Sequence, residues 1–124
     1  MERIHTDAVA PSTAPLSQAI ETNDLLFVSG QVHRTPDGEL LEGNIEAQSR
    51  QVLENVAAIL EEAGASFDDV VKATVFLTDA DDFAAFNRVY EEYITEPYPA
   101  RSLFAVEALA LEELDVEMEV IAEV

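Results

Sequence analysis

The stretch Leu25-Leu26-Phe27-Val28-Ser29-Gly30-Gln31 reads as a β-strand that is apolar on both faces. A strand with solvent on one side alternates apolar and polar residues, because successive side chains point to opposite faces of the sheet. This one predicts a sheet covered on both sides. Gln18 to Ile20 reads as the preceding strand, separated from it by a turn at Thr22-Asn23-Asp24. Downstream, Thr35-Pro36-Asp37-Gly38 is a turn signal, with Pro presetting φ and Gly tolerating φ > 0. It predicts a hairpin joining two strands.

The first cover is helical. Asn44 is placed to cap a long helix in which Ile45, Val52, Leu53, Val56, Ile59, Leu60 and Ala63 recur at spacings of three and four. Gly64 stops it, and Ser66-Phe67-Asp68-Asp69 has capping-box spacing with Asp in place of Glu. Val71 to Thr78 is a β-branched strand, with Val71, Ala73, Val75 and Leu77 on one face and Lys72, Thr74, Phe76 and Thr78 on the other. Asp79 and Asp81 supply caps for a second helix with the stripe Phe83, Phe86, Tyr90, Tyr93 and Ile94, which Pro97 ends. That stripe is a core face rather than a cofactor platform. Ala100 to Val106 is the next strand. Glu107 to Leu114 is short and helix-prone, and its state stays open. The last strand, Asp115 to Val124, sets Val116, Met118, Val120, Ala122 and Val124 against Glu117, Glu119, Ile121 and Glu123.

This order places two amphipathic helices on one face of a sheet, an α+β layer. The other face would carry Phe76, Ile121 and part of the 25–31 run. Apolar patches of that kind mark interfaces, so the expected second cover is further copies of the chain.

The 124 residues fit one domain, 1–124. A hydrophobic fraction of 48% supports a core and separates the chain from disordered acidic tails. Against 26 Asp and Glu stand only 6 Lys and Arg, a net charge of −20. Such a polyanion repels phosphate backbones and anionic lipid, so neither nucleic acid nor membrane is an expected partner. Lys72 is the lone lysine. The pattern suits a cytoplasm of molar salt, where the Debye length is about 3 Å and acidic side chains repel weakly; it describes a halophilic habitat. The absence of cysteine removes disulfides, thiolate zinc sites and cysteine nucleophiles. Met1 to Pro11 has no apolar signal core and no apolar run reaches spanning length, so a soluble cytoplasmic protein is expected.

No metal site is expected. His5 and His33 are isolated and read as surface imidazoles, and Asp79 to Asp82 lacks the turn glycine of a calcium loop. There is neither a phosphate-binding glycine loop nor a nucleophile elbow. Arg101 remains, at the start of a strand after Pro97-Tyr98-Pro99. Either it pairs with one of the many carboxylates, or its fork receives the carboxylate of a ligand. Glu117 is either a solvated strand residue or an acid/base with a pKa raised by partial burial.

Six segments then carry a resemblance: Ser29 to Gln31, Ala47 to Val56, Val70 to Asp79, Phe86 to Tyr93, Pro99 to Ser102 and Val116 to Ala122. In this order and spacing the chain resembles, over nearly its whole length, the RidA/YjgF family of reactive-intermediate deaminases. The resemblance implies a chorismate-mutase-like α+β fold, a mixed sheet with two helices on one face, and a homotrimer with clefts between subunits. It implies hydrolysis of the imines or enamines of 2-oxo acids (2-iminobutanoate, 2-iminopropanoate) to the 2-oxo acid and ammonia, without a cofactor. Arg101 matches the residue that grips the substrate carboxylate, and Glu117 the one that positions water and handles protons. Gly30, Ser29, Asn87 and the backbone at Leu103 match site-lining positions. Leu16 stands where the family's deaminases usually carry Tyr, and Leu103 where Cys is frequent. Both changes remove polarity, and they keep open the alternative of a non-catalytic module that binds 2-oxo acids or amino acids in the same cleft.

Overall fold

A computed structural model describes residues 1–124. Asn23 and Asp24 reverse the chain with φ of 51° and 65°, the left-handed pair that suits a two-residue hairpin turn. They join β2 (Ala19–Thr22) to β3 (Leu25–Val32), so the turn is one residue shorter than predicted and β2 begins and ends later. β1 (Glu2–Ile4) adds outside β2. With β4 (Val70–Leu77), β5 (Ala100–Ala105) and β6 (Val116–Glu123), the sheet order is β1-β2-β3-β6-β4-β5. Only β4 and β5 run parallel. A parallel pair needs a long crossover, and α2 (Phe83–Tyr93) supplies it. The fold is α+β, a mixed sheet with two helices packed on one face.

Helix α1 (Ile45–Glu62) forms as its periodicity predicts. Asn44 Oδ1 accepts the Ala47 N–H at 2.8 Å, and Gly64, at φ 79°, ends the helix just past Ala63. Val52, Leu53, Val56, Ile59 and Leu60 are fully buried, each such side chain contributing roughly 1.5–3 kcal/mol. Both halves of the Ser66–Asp69 capping box are made. In α2 the stripe Phe86, Tyr90 and Ile94 is buried as read, but Phe83 at its first turn is exposed and Val89 takes a core position instead.

Two β-bulges correct the predicted alternation. On β4, Val70 pairs with Ala122 and Lys72 with Ile121, so two residues oppose one and Val71 is squeezed out to solvent. The core face is therefore Val70, Ala73, Val75 and Leu77. On β3, Val28 pairs with Val120 and Gln31 with Met118, which puts the bulge at Ser29-Gly30. The turn at residues 35–38 forms, but it is flanked by a single bridge between Arg34 and Leu40 rather than by hairpin strands. Residues 107–114 form no regular element, and Val124 lies outside the core.

His33 departs from the reading of a surface imidazole; its exposure is 1%. Its Nδ1 meets the Leu41 carbonyl at 2.9 Å, and its Nε2 meets the Asp115 N–H at 3.0 Å. The first contact needs a donor and the second an acceptor, so the ring is held as one neutral tautomer. His5 is exposed beside Asp7, as expected.

The helices cover one face. On the other, Phe27 and Phe104 are exposed, and Phe104 stacks on Phe76 with centroids 6.1 Å apart. No helix is long and apolar enough to cross a membrane.

Candidate functional site

Arg101 stands second in β5, opposite Ala73 of β4, which in turn faces Val120 of β6. Ala73 and Val120 belong to the helix-covered core, so Arg101 projects to that same side, at the sheet edge. There it meets α2. The guanidinium carbon lies 4.8 Å from the centroid of the Tyr90 ring and 6.0 Å from that of Phe86. The charged contacts of the chain are Arg50–Glu92 and the exposed His5–Asp7 contact, and no ion pair or side-chain hydrogen bond engages Arg101. Of the two readings of Arg101, the intramolecular ion pair is therefore not the one realised. Its donors face a cleft of about 280 Å³ lined by Asn87, Tyr90, Glu91, Tyr98, Pro99 and Arg101. Two buried polar atoms on that lining, Asn87 Oδ1 and the Tyr90 hydroxyl, have no partner in the chain. A guanidinium with its N–H donors free, facing a cleft, is chemistry suited to a small carboxylate.

Glu117 belongs to a different surface. It lies between Val116 and Met118, which are fully buried under the helices, and pairs across to Val32 and Phe76. Alternation therefore turns its side chain to the face away from the helices. It is half-buried, and that burial, with a smaller contribution from Glu119, raises its pKa above the ordinary glutamate value. Its carboxylate occupies the space over Gly30, where an added Cβ would lie 2.9 Å from Glu117 Cδ.

The predicted residues thus fall into two groups. Arg101 and Asn87 share the cleft at β5 and α2. Gly30 and Glu117 touch across β3 and β6, with Ser29 beside them at the bulge. Ser29 ties in the preceding loop, since its hydroxyl donates to the Ser17 carbonyl at 2.6 Å and its N–H to Gln18 at 2.9 Å. Leu16, next to Ser17, is exposed. Leu103 follows Arg101 on the helix side of β5 and packs against the core. The two groups do not meet within one chain. From Ala73, beside Arg101, to Phe76, beside Glu117, is three residues along β4, and β5 and β6 flank it on either side. Sheet spacings put their backbones about 14 Å apart, on opposite faces. Sequence reading assigned Tyr90 to the core alone and passed over Tyr98; an aromatic at helical spacing gives no sign that its ring also walls a cleft. No group of three or more His, Asp or Glu side chains converges as a metal-ligand set.

The family model described as Endoribonuclease L-PSP matches residues 7–124. A RutC family protein of Pyrococcus abyssi is 48% identical over 122 residues, covering 98% of this chain and 95% of its own. The crystal structure of RidA from the Antarctic bacterium Psychrobacter sp. superposes with a TM-score of 0.94 at 42% identity, covering 100% of both chains. That of Escherichia coli TdcF with bound serine superposes at 0.91 and 35%, covering 99% and 98%.

Proposed function

The chain belongs to the RidA/YjgF family, whose matching model is described as Endoribonuclease L-PSP, and from that premise we propose that it hydrolyses reactive imines of 2-oxo acids. The substrates would be of the 2-iminobutanoate and 2-iminopropanoate type, with their enamine tautomers, and the site would be cytoplasmic. One observation carries the reading. In a chain with 26 acidic residues and 6 cationic ones, Arg101 stays unpaired and lines a cleft.

In this reading the Arg101 fork binds the substrate carboxylate bidentately. The imine nitrogen is protonated, and a water held by Glu117 attacks the C=N carbon. Glu117 takes up a proton from that water and returns it to nitrogen. The tetrahedral intermediate then expels ammonia and leaves the 2-oxo acid, so that imine and water become oxo acid and ammonia. No redox step occurs and no cofactor is called on. Positioned proton transfer contributes on the order of 10²–10⁴-fold, enough for a substrate already reactive in water.

Arg101 and Glu117 lie on opposite faces of one sheet. A cleft that uses both would take Arg101 from one chain and Glu117 from another, which supports a homotrimer with sites between subunits. The exposed Phe27 and Phe104 give the open face an apolar surface for that contact. The net charge of −20 speaks against RNA or membrane as the partner.

The deciding assay generates 2-iminobutanoate with threonine dehydratase at molar KCl and follows 2-oxobutanoate release. Acceleration by the protein and its loss in Arg101→Ala are expected, with about 2–5 kcal/mol of carboxylate binding removed. Full activity in Arg101→Ala would sink the proposal. The apolar side chains of Leu16 and Leu103 favour a second reading, a binding module for 2-oxo acids or amino acids. Calorimetric binding of 2-oxobutanoate without turnover would establish that reading instead.

A further inference from the structure

We propose that Tyr90 is a positioning residue: its ring holds the Arg101 guanidinium against the cleft wall and leaves the fork's N–H donors free for a ligand. The inference rests on the carboxylate reading of the Arg101 cleft and adds to it the device that keeps the cation available.

The need for such a device follows from composition. An arginine in a chain with 26 carboxylates and few competing cations is drawn to the nearest acid, and a bidentate pair would occupy the donors that a substrate requires. Glu91 follows Tyr90 directly in α2 and lines the same cleft, yet it makes no ion pair with Arg101. Arg101 is satisfied through its flat face instead. Phe86 and Tyr90 stand four apart in α2, so they share a helix face, and their ring centroids lie 5.7 Å apart. Both are buried, Phe86 completely and Tyr90 to 5% exposure, so neither ring is free to swing away. The guanidinium carbon sits 4.8 Å from the Tyr90 centroid and 6.0 Å from the Phe86 centroid, both within cation–π range. A ring face attracts the cation without consuming an N–H donor. It also orders a long side chain before binding, so less rotamer entropy is lost when the ligand arrives.

The ring and not the hydroxyl does the holding. The Tyr90 hydroxyl is buried with no partner in the chain, so Tyr90→Phe removes an unsatisfied group and keeps the platform. Tyr90→Leu keeps an apolar side chain and removes the π face.

Calorimetric titration with 2-oxobutanoate and turnover of 2-iminobutanoate are compared in the wild type and both variants. Tyr90→Phe should match the wild type within about twofold. Tyr90→Leu should raise the 2-oxobutanoate Kd and the KM by roughly tenfold while kcat stays within about threefold, in keeping with the size of a desolvated cation–π contact. Unchanged values in Tyr90→Leu overturn the inference, and so does a Tyr90→Phe as weak as Tyr90→Leu. A wild type that neither binds nor turns over defeats the carboxylate reading instead. NMR then decides on Tyr90 alone, and also covers a Tyr90→Leu that does not fold. Ring-current displacement of the Arg101 δ and ε protons should be present in the wild type and in Tyr90→Phe. Its absence from both overturns the inference.

Discussion

Gly30 and Glu117 occupy adjoining space: any side chain at position 30 would fall on the Glu117 carboxylate, with an added Cβ only 2.9 Å from its Cδ. Gly30 is not among the residues with positive φ, so the glycine is required by close approach and not by backbone conformation. Gly30→Ala should therefore fold. The carboxylate is the end of a flexible side chain and can move aside, so the stability change should stay within about 1 kcal/mol. The displaced Glu117 would no longer hold its water. We expect kcat for 2-iminobutanoate to fall at least tenfold while 2-oxobutanoate still binds through Arg101. Unchanged kcat in Gly30→Ala would remove Glu117 from the mechanism.

The raised pKa of Glu117 has a sign that stability measurements can read. Burial disfavours the ionised form, so the folded-state value lies above the ordinary 4.5. Between the two values the native state holds more protons than the unfolded state, and stability falls as pH rises through that window. Glu117→Gln removes this dependence. Its Tm should exceed that of the wild type at pH 7, and the difference should shrink as the pH is lowered towards 4.5 and below. A gap that does not change with pH would mean that Glu117 is solvated in the folded state.

His33 is a structural residue, and its removal should be costly. The ring meets the Leu41 carbonyl on one side and, on the other, the N–H of Asp115, 82 residues further along the chain than His33. His33→Phe fills the volume but leaves both main-chain groups without a partner, at a cost of about 2–4 kcal/mol. Urea denaturation at fixed salt measures it. A loss below about 1 kcal/mol would show that water enters and replaces the imidazole.

The elements that the sequence predicts well are those whose signals are local. α1 carries its own cap at Asn44, its own period and its own stop at Gly64, so its bounds need no tertiary information. β1 is three residues held by pairing with β2 and by burial of Ile4 in the core, and nothing local marks it. The bulges at Ser29-Gly30 and Val71 arise where two strands must share a register; strict alternation at Val71 fails for that reason. His33 was misread because an isolated imidazole gives no sign of its partners, Leu41 and, just before β6, Asp115. The residue types of the candidate site, an arginine and a glutamate in a sheet, were legible. That they point to opposite faces follows only from the pairing of β5 and β6 with β4.

Charge gives a prediction that is independent of the site. The chain makes one arginine–carboxylate ion pair, Arg50–Glu92, beside the exposed His5–Asp7 contact, so the balance of −20 is left as self-repulsion. Raising ionic strength from 0.1 to 1 M shortens the Debye length from about 10 to about 3 Å. If the surface is adapted to molar salt, Tm should rise by several degrees over that range. A flat or falling Tm would make the acidic surface a solubility feature alone.

The open face should couple assembly to activity. Phe104 stacks on Phe76 and is still 52% exposed, and Phe27 is 42% exposed on the same face. Glu117 shares that face, while Arg101 lies on the other. Phe104→Glu adds a charge that would be buried if a second copy covers the face, a change that costs far more in an interface than in solvent. A chain that stands alone would tolerate it, because the side chain is already half in water. We expect sedimentation to show loss of the oligomer, and 2-iminobutanoate turnover to fall with it, because the residues of one cleft would come from separate chains. Mixing is the stricter check. Arg101→Ala and Glu117→Gln, each inactive alone, should recover part of the activity when co-assembled, since some clefts would then pair an intact Arg101 with an intact Glu117. Recovery can occur only if the two residues of a working site come from different subunits. A fully active monomeric Phe104→Glu would instead place the whole chemistry within one chain.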